Sequence, residues 1–158
     1  MNTFSYFESP IGRLLLTSDG TALTGLYTNP SRKAQSIDGW TEDATVVALA
    51  VTMRQLTEYF AGIRREFDLP MRLHGTAFQT RVWHELTEIP YGTTWSYGQL
   101  AKRIGNANAS RAVGLANGRN PISILVPCHR VIGADGSLTG YGGGLERKQW
   151  LLSHEGLH

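Results

Sequence analysis

Ser96-Tyr97-Gly98-Gln99-Leu100-Ala101-Lys102-Arg103-Ile104-Gly105-Asn106-Ala107-Asn108-Ala109-Ser110-Arg111-Ala112-Val113-Gly114-Leu115-Ala116-Asn117 carries two helix signatures joined by a turn. Ser96 followed three residues later by Gln99 has capping-box spacing, and Tyr97, Leu100, Ala101 and Ile104 fall on one helical stripe. Gly105-Asn106 ends that helix. After a short polar link, Ser110 to Asn117 reads as a compact second helix rich in small residues, among them Ala112, Gly114 and Ala116. Two short helices around a glycine-containing turn form the pattern of a helix-turn-helix, whose second helix lies against DNA. Helical hairpins that bind nothing share this spacing. A helix that exposes Ala and Gly approaches another surface closely, which suits either DNA contact or tight packing in a core.

Upstream, Thr76 and Gln79 repeat the capping-box spacing, and Phe78, Val82 and Leu86 form a helix face that Pro90 stops. The chain changes from strand-like to helical character around Leu73 to Gly75, which places a domain boundary there: residues 1–74, then 75–158. In the first part, Phe4 to Phe7, Arg13 to Thr17 and Leu23 to Tyr27 are short β-like runs. They are separated by the turn signals Ser9-Pro10-Ile11-Gly12 and Ser18-Asp19-Gly20, as in an antiparallel meander. A loop from Asn29 to Asp38 precedes a helix signalled by Thr41, Glu42 and Asp43. Its stripe is Leu49, Met53, Leu56 and Phe60, and Gly62 is its stop. Glu66 to Leu69, closed by Pro70, is expected to add a strand. No chemistry is evident in this α/β scaffold.

Downstream lies Asn120-Pro121-Ile122-Ser123-Ile124-Leu125-Val126-Pro127-Cys128-His129-Arg130-Val131-Ile132-Gly133, which holds the single cysteine of the 158 residues. A thiol mounted directly after proline and flanked by imidazole and guanidinium has a nucleophile's setting, its positive neighbours favouring thiolate. The alternative is a small buried hydrophobe. One cysteine excludes an internal disulfide framework and a zinc site built on several thiolates, and points to a reducing compartment. No segment approaches the length of a membrane span and the N-terminus lacks a leader pattern, so a cytoplasmic protein is expected. The formal net charge of +2 divides into about −1 over residues 1–74 and about +3 over 75–158. That excess supports a nucleic-acid surface only weakly.

Taken in order, Arg111-Ala112-Val113-Gly114, Asn120-Pro121, Pro127-Cys128-His129-Arg130-Val131, Leu138-Thr139-Gly140-Tyr141-Gly142-Gly143-Gly144 and Leu151-Leu152-Ser153-His154-Glu155-Gly156 resemble the O6-alkylguanine-DNA alkyltransferase family. The likeness is dense from Thr76 to Glu155 and thinner earlier, where Ser9-Pro10-Ile11-Gly12 and Tyr59-Phe60-Ala61-Gly62 fit. The fold it implies is an α/β N-terminal domain, antiparallel sheet plus helix and ribonuclease H-like. A mainly helical, winged-helix-like C-terminal domain with the helix-turn-helix follows.

The resemblance implies irreversible, once-only transfer of a methyl or other alkyl group from guanine O6 to Cys128. His129 is then the base, acting through a water or through a turn at Cys128, and Glu155 fixes its tautomer. Asn120 is the hinge asparagine, and Tyr97 the donor to the leaving base and a contact to the 3′ phosphate. Pro127, Val131, Tyr141, Gly142 and Gly143 would line the base pocket. The target atom is inside the duplex, so the nucleotide must be extruded. Arg111 is the finger that replaces it, with Ala112, Gly114 and Arg119 as further DNA contacts. The implied partner is double-stranded DNA bearing alkylated guanine, bound by a monomer with clustering along DNA as an alternative; no cofactor or metal is implied. Ser123 stands where some relatives have proline, and Gly142 where others have serine. The rivals are a lesion-binding module without transfer, which would lack the cysteine, and a Cys-His-Glu hydrolase, which would turn over.

Overall fold

Leu14-Leu15-Leu16 is a continuous apolar run rather than an alternating one, as suits a strand covered on both faces. It lies in β2 (Gly12–Ser18), flanked by β1 (Thr3–Ser9) and β3 (Leu23–Tyr27), and a short β4 (Thr41–Glu42) completes a sheet of order β3-β2-β1-β4, with all of Leu14 to Ser18 buried. Both pairings of β2 are antiparallel, so the expected meander is present. The β1–β2 turn is built by Ser9, whose hydroxyl donates to the Gly12 carbonyl at 2.6 Å and accepts from the Ile11 amide at 3.2 Å. Gly12, at φ 107°, takes a conformation other residues resist. In the next turn the Asp19 carboxylate accepts from the Thr21 and Ala22 amides.

This computed structural model describes residues 1–29, 36–138, 141 and 144–157. They form two compact units, Met1–Leu73 and His74–His158.

Two expectations for the first unit are corrected. Thr41 and Glu42 do not open a helix: they form β4 (Thr41–Glu42), parallel to β1, and α1 (Val47–Phe60) starts five residues later without a side-chain cap. Its buried face is Ala48, Leu49, Thr52, Gln55, Leu56 and Tyr59, turned from the stripe read in the sequence, because tertiary packing selects the face. Glu66 to Leu69 is not a strand. The Gln55 side chain bonds both backbone groups of Asp68, at 2.9 Å each, and so takes the place of a neighbouring strand there. Gly62, at φ 80°, lies just past the end of α1 as expected.

In the second unit both capping boxes form. Thr76 opens α2 (Ala77–Leu86), and Ser96 opens α3 (Tyr97–Arg103). Gly105, at φ 84°, turns the chain toward α4 (Ser110–Gly118). Buried Trp83 of α2 donates its indole N–H to the Ala116 carbonyl at 2.8 Å, fixing α4 against α2. A one-turn 3-10 segment, Cys128–Arg130, leads into β6 (Val131–Ile132), which pairs in parallel with β5 (Trp95–Ser96). That pairing sets Trp95 opposite Val131, so the start of α3 and the chain just beyond Cys128 are neighbours. The last helix, α5 (Leu145–His154), packs against the 3-10 turn.

Candidate active site

The segment before the cysteine is coiled onto a side chain. Asn120, two residues past the end of α4, donates from Nδ2 to the Val126 carbonyl at 2.7 Å, and its Oδ1 accepts from the Ile122 amide at 3.0 Å. One buried amide thus ties the two ends of a tight loop together, adding to the loop's own backbone bonds from Val126 to Ile122 and from Leu125 to Ser123. Ile124 within the loop has φ 73°, an unfavourable conformation for a β-branched residue, retained while its side chain is buried. Pro127 is buried and precedes the 3-10 turn. The turn is what allows Cys128 and His129, adjacent in sequence, to leave the opposite-face geometry of an extended chain. Asn117 of α4 adds a second brace, donating from Nδ2 to the Cys128 carbonyl at 3.3 Å.

Cys128 is buried and free of any disulfide. Burial pushes its thiol up from the ordinary value, while Asn120, the charge of Lys148 and Ser123 pull it down. His129 is wholly buried, and its Nε2 lies 2.8 Å from Glu155 Oε2. Desolvation lowers its pKa against the pull of the carboxylate, so the imidazole is neutral at neutral pH. Nε2 then donates to Glu155, and Nδ1, buried without a protein partner among the described residues, carries the lone pair.

Glu155 caps the C-terminal end of α5, where an acid opposes the helix dipole. Burial would raise its pKa, yet hydrogen bonds from His129 and Arg130 hold it well below the usual carboxylate range. Arg130 grips it with two bonds, Nε to Oε1 at 2.7 Å and a terminal nitrogen to Oε2 at 3.0 Å, and sends a third to the Ile89 carbonyl. The flanking imidazole and guanidinium were expected to favour the thiolate. Instead, the imidazole is held neutral and the guanidinium is turned to Glu155. Among the described residues, the charge of Lys148 on α5 is one of the influences that pull the Cys128 thiol down against burial.

The remaining residues fall into three places. Arg111 and Ala112 are exposed on α4 and Arg119 is exposed just past its end, while the buried side of α4 is Val113, Ala116 and Asn117. Gly114 is half-buried, and a Cβ built there would stand 3.7 Å from the Tyr97 ring, so α4 and the first residue of α3 meet at this point. Tyr97 is itself half-buried, unlike Leu100, Ala101 and Ile104 on the stripe read in the sequence. Val131 and Tyr141 are buried, and Gly142 and Gly143 lie outside the described residues.

The 6-O-methylguanine DNA methyltransferase family has two component models that match this chain: a ribonuclease-like domain over residues 2–73 and a DNA binding domain over residues 77–157. The chain belongs to the 6-O-methylguanine DNA methyltransferase family. Among its relatives is the methylated-DNA–protein-cysteine methyltransferase of Mycolicibacterium paratuberculosis, 55% identical over 96% of this chain and 90% of that one. The protein of the same name from Methanosarcina acetivorans is 51% identical over 97% of each. The crystal structure of Mycobacterium tuberculosis O6-methylguanine methyltransferase is similar at a TM-score of 0.91 and 52% identity, covering 98% of this chain and 93% of that one. The M. tuberculosis protein in complex with DNA matches at 0.88 and 52%, covering 97% and 92%. The family's two-domain architecture, a sheet-and-helix domain followed by a helical DNA-binding domain, is therefore that of this chain.

Two members of this methyltransferase's buried cluster were not singled out in the sequence, Asn117 and Lys148, and Arg130 was read only as a positive neighbour of the thiol, not as the partner of Glu155. The other two carried a periodic signal, since Asn117 lies on the stripe of Val113 and Ala116, and Lys148 on that of Leu151 and Leu152. A polar residue on an apolar stripe marks a buried group that needs a partner.

Proposed function

We propose that Cys128 is the alkyl acceptor of this methyltransferase and that His129, Glu155 and Asn120 ready it. By family the protein repairs DNA by direct transfer, moving an alkyl group from O6 of guanine to its own cysteine. The observation that carries the site reading is the buried run from Cys128 through His129 to Glu155, with Nδ1 of a neutral imidazole left to accept a proton. The thiol proton passes to that nitrogen, directly or through a water. Sulfur attacks the alkyl carbon in line, the S–C bond forms as the C–O bond breaks, and the electron pair stays on the purine. The purine takes a proton and leaves as guanine. Tyr97 supplies a hydrogen bond as that charge develops.

The sulfur keeps the carbon, so each molecule acts once. Residues 75–158 carry both DNA binding and transfer, and residues 1–74 serve as the scaffold. The substrate is alkylated guanine in duplex DNA, with O4-alkylthymine as a further candidate, and the nucleotide is extruded to reach a thiol that is itself buried. Arg111 fills the gap, while Ala112, Gly114 and Arg119 bring α4 close to the backbone. Pro127, Val131, Tyr141, Gly142 and Gly143 line the base pocket. The working unit is a monomer of the cytoplasm; no helix among the described residues is long and apolar enough to cross a membrane.

Mass spectrometry after mixing with O6-methylguanine duplex tests the reading. One methyl per molecule on the Cys128 peptide is expected, with no further turnover. Cys128→Ser should abolish transfer and leave lesion binding largely intact. An unmodified Cys128 peptide rejects the acceptor role, and sustained turnover favours a hydrolase.

A further inference from the structure

Lys148 occupies a place where helix periodicity calls for Leu or Met. It lies on the buried stripe of α5 with Leu151 and Leu152 and is 0% exposed. An ammonium at such a position is costly unless the surroundings compensate it, and charges kept at that cost concentrate where a reaction uses them. Its Nζ donates to the Val131 carbonyl at 2.5 Å, three residues beyond Cys128, across the 3-10 turn against which α5 packs. Asn117 holds the carbonyl at the other end of the same turn, that of Cys128. The turn bearing the thiol is thus gripped from α4 by an amide and from α5 by a cation.

The charges around the thiol have distinct assignments. From the turn itself come His129, neutral, and Arg130, bonded twice to Glu155 at the end of α5. Asn120 and Ser123 from the preceding loop are uncharged. Lys148 from α5 remains, and its attraction to Cys128 acts on both groups: burial lowers the lysine to about 8 while the cysteine raises it, and the lysine in turn lowers the cysteine.

We propose that Lys148 is a positioning residue for alkyl transfer: its buried ammonium, anchored on the Val131 carbonyl, supplies the positive charge against which Cys128 ionises before attacking the alkyl carbon. This rests on Cys128 being the acceptor. The ammonium neither gives nor takes a proton in the step. It lowers the energy of the thiolate formed when the proton leaves sulfur.

The test compares wild type with Lys148→Met, which keeps the volume and removes the charge. Two quantities are read: the pH profile of Cys128 alkylation by iodoacetamide, and single-turnover transfer from O6-methylguanine duplex. The expected result is a thiol midpoint raised by about one pH unit. Transfer should slow about tenfold at neutral pH, recovering as pH rises, with duplex affinity unchanged. An unchanged thiol midpoint overturns the proposal whether or not transfer slows, since slowing alone marks a structural brace.

If Lys148→Met does not fold, Lys148→Gln retains a donor for Val131 without the charge and is read the same way. Should neither fold, wild type decides through the reciprocal shift: alkylating Cys128 removes the thiolate, so Lys148, followed by NMR, should titrate at lower pH afterwards, and an unmoved lysine midpoint overturns the proposal. Cys128→Ser separates the two readings. If it still accepts alkyl groups from DNA, the acceptor assignment falls, while the iodoacetamide profiles of wild type and Lys148→Met, which keep the thiol, still report the effect of Lys148 on it.

Discussion

Glu155 is held by His129 on one oxygen and by Arg130 on both, and the three side chains are buried together. Removing the carboxylate would leave a guanidinium in the interior without its counter-charge. Glu155→Gln is therefore expected to cost about 3–5 kcal/mol of stability, read as a lower midpoint in urea. The same cluster sets the acid limb. His129 is depressed by burial, so below its unfolded pKa of about 6.5 the unfolded chain binds a proton that the folded one refuses, and stability falls with falling pH. Glu155 is depressed as well. Its contribution is present above the unfolded value of about 4.3 and is lost as pH drops toward its folded value. Urea midpoints from pH 7 to 3 should decline in these two stages, with the lower one missing in Glu155→Gln. A flat profile would contradict the charge assignment.

At the scale of the element, α4 has two sides with different tasks. Val113, Ala116 and Asn117 are buried, the last bracing the Cys128 carbonyl, while Arg111, Ala112, Leu115 and Arg119 face outward, Leu115 at 65% exposure. An exposed Leu beside cations and small residues suits close approach to a nucleic-acid groove, where apolar side chains wedge between bases. Arg111→Ala should leave stability within about 0.5 kcal/mol, since the side chain is exposed. It should slow repair of duplex substrate by about tenfold, equivalent to about 1.4 kcal/mol in the barrier. The loss on duplex should exceed the loss on a free alkylated base, which needs no extrusion. Equal losses on both substrates would remove Arg111 from the finger role.

For the whole molecule, transfer to Cys128 as proposed would be an irreversible enlargement of a packed site. Cys128 is buried between the Asn120-braced loop and α5, and an added methyl has to displace neighbours that are themselves hydrogen-bonded. Overpacking of this kind costs about 1–3 kcal/mol. The alkylated protein should melt several degrees below the free one, by roughly 2–4 °C for each kcal/mol. Calorimetry before and after reaction with a stoichiometric amount of lesion duplex measures this, and an unchanged melting point would mean that the site has room to spare.

The sequence alone determined whatever depends on residues a few positions apart. The capping boxes at Thr76 and Ser96, the glycine stops at Gly62 and Gly105, the meander and the motif around Cys128 are local patterns, and each was legible. Two local signals misled. Thr41 and Glu42 were taken up by pairing with β1, and Glu66 to Leu69 by the amide of Gln55, because a tertiary partner outweighs a weak propensity. Only the tertiary structure decided which charges meet. Arg130 reaches Glu155 across 25 residues and Lys148 reaches Val131 across 17, and no spacing rule links such positions. The motif therefore marked the proposed nucleophile, whereas the cation proposed to stabilise it came to light through burial, which strengthens every unscreened interaction and is a property of the folded chain.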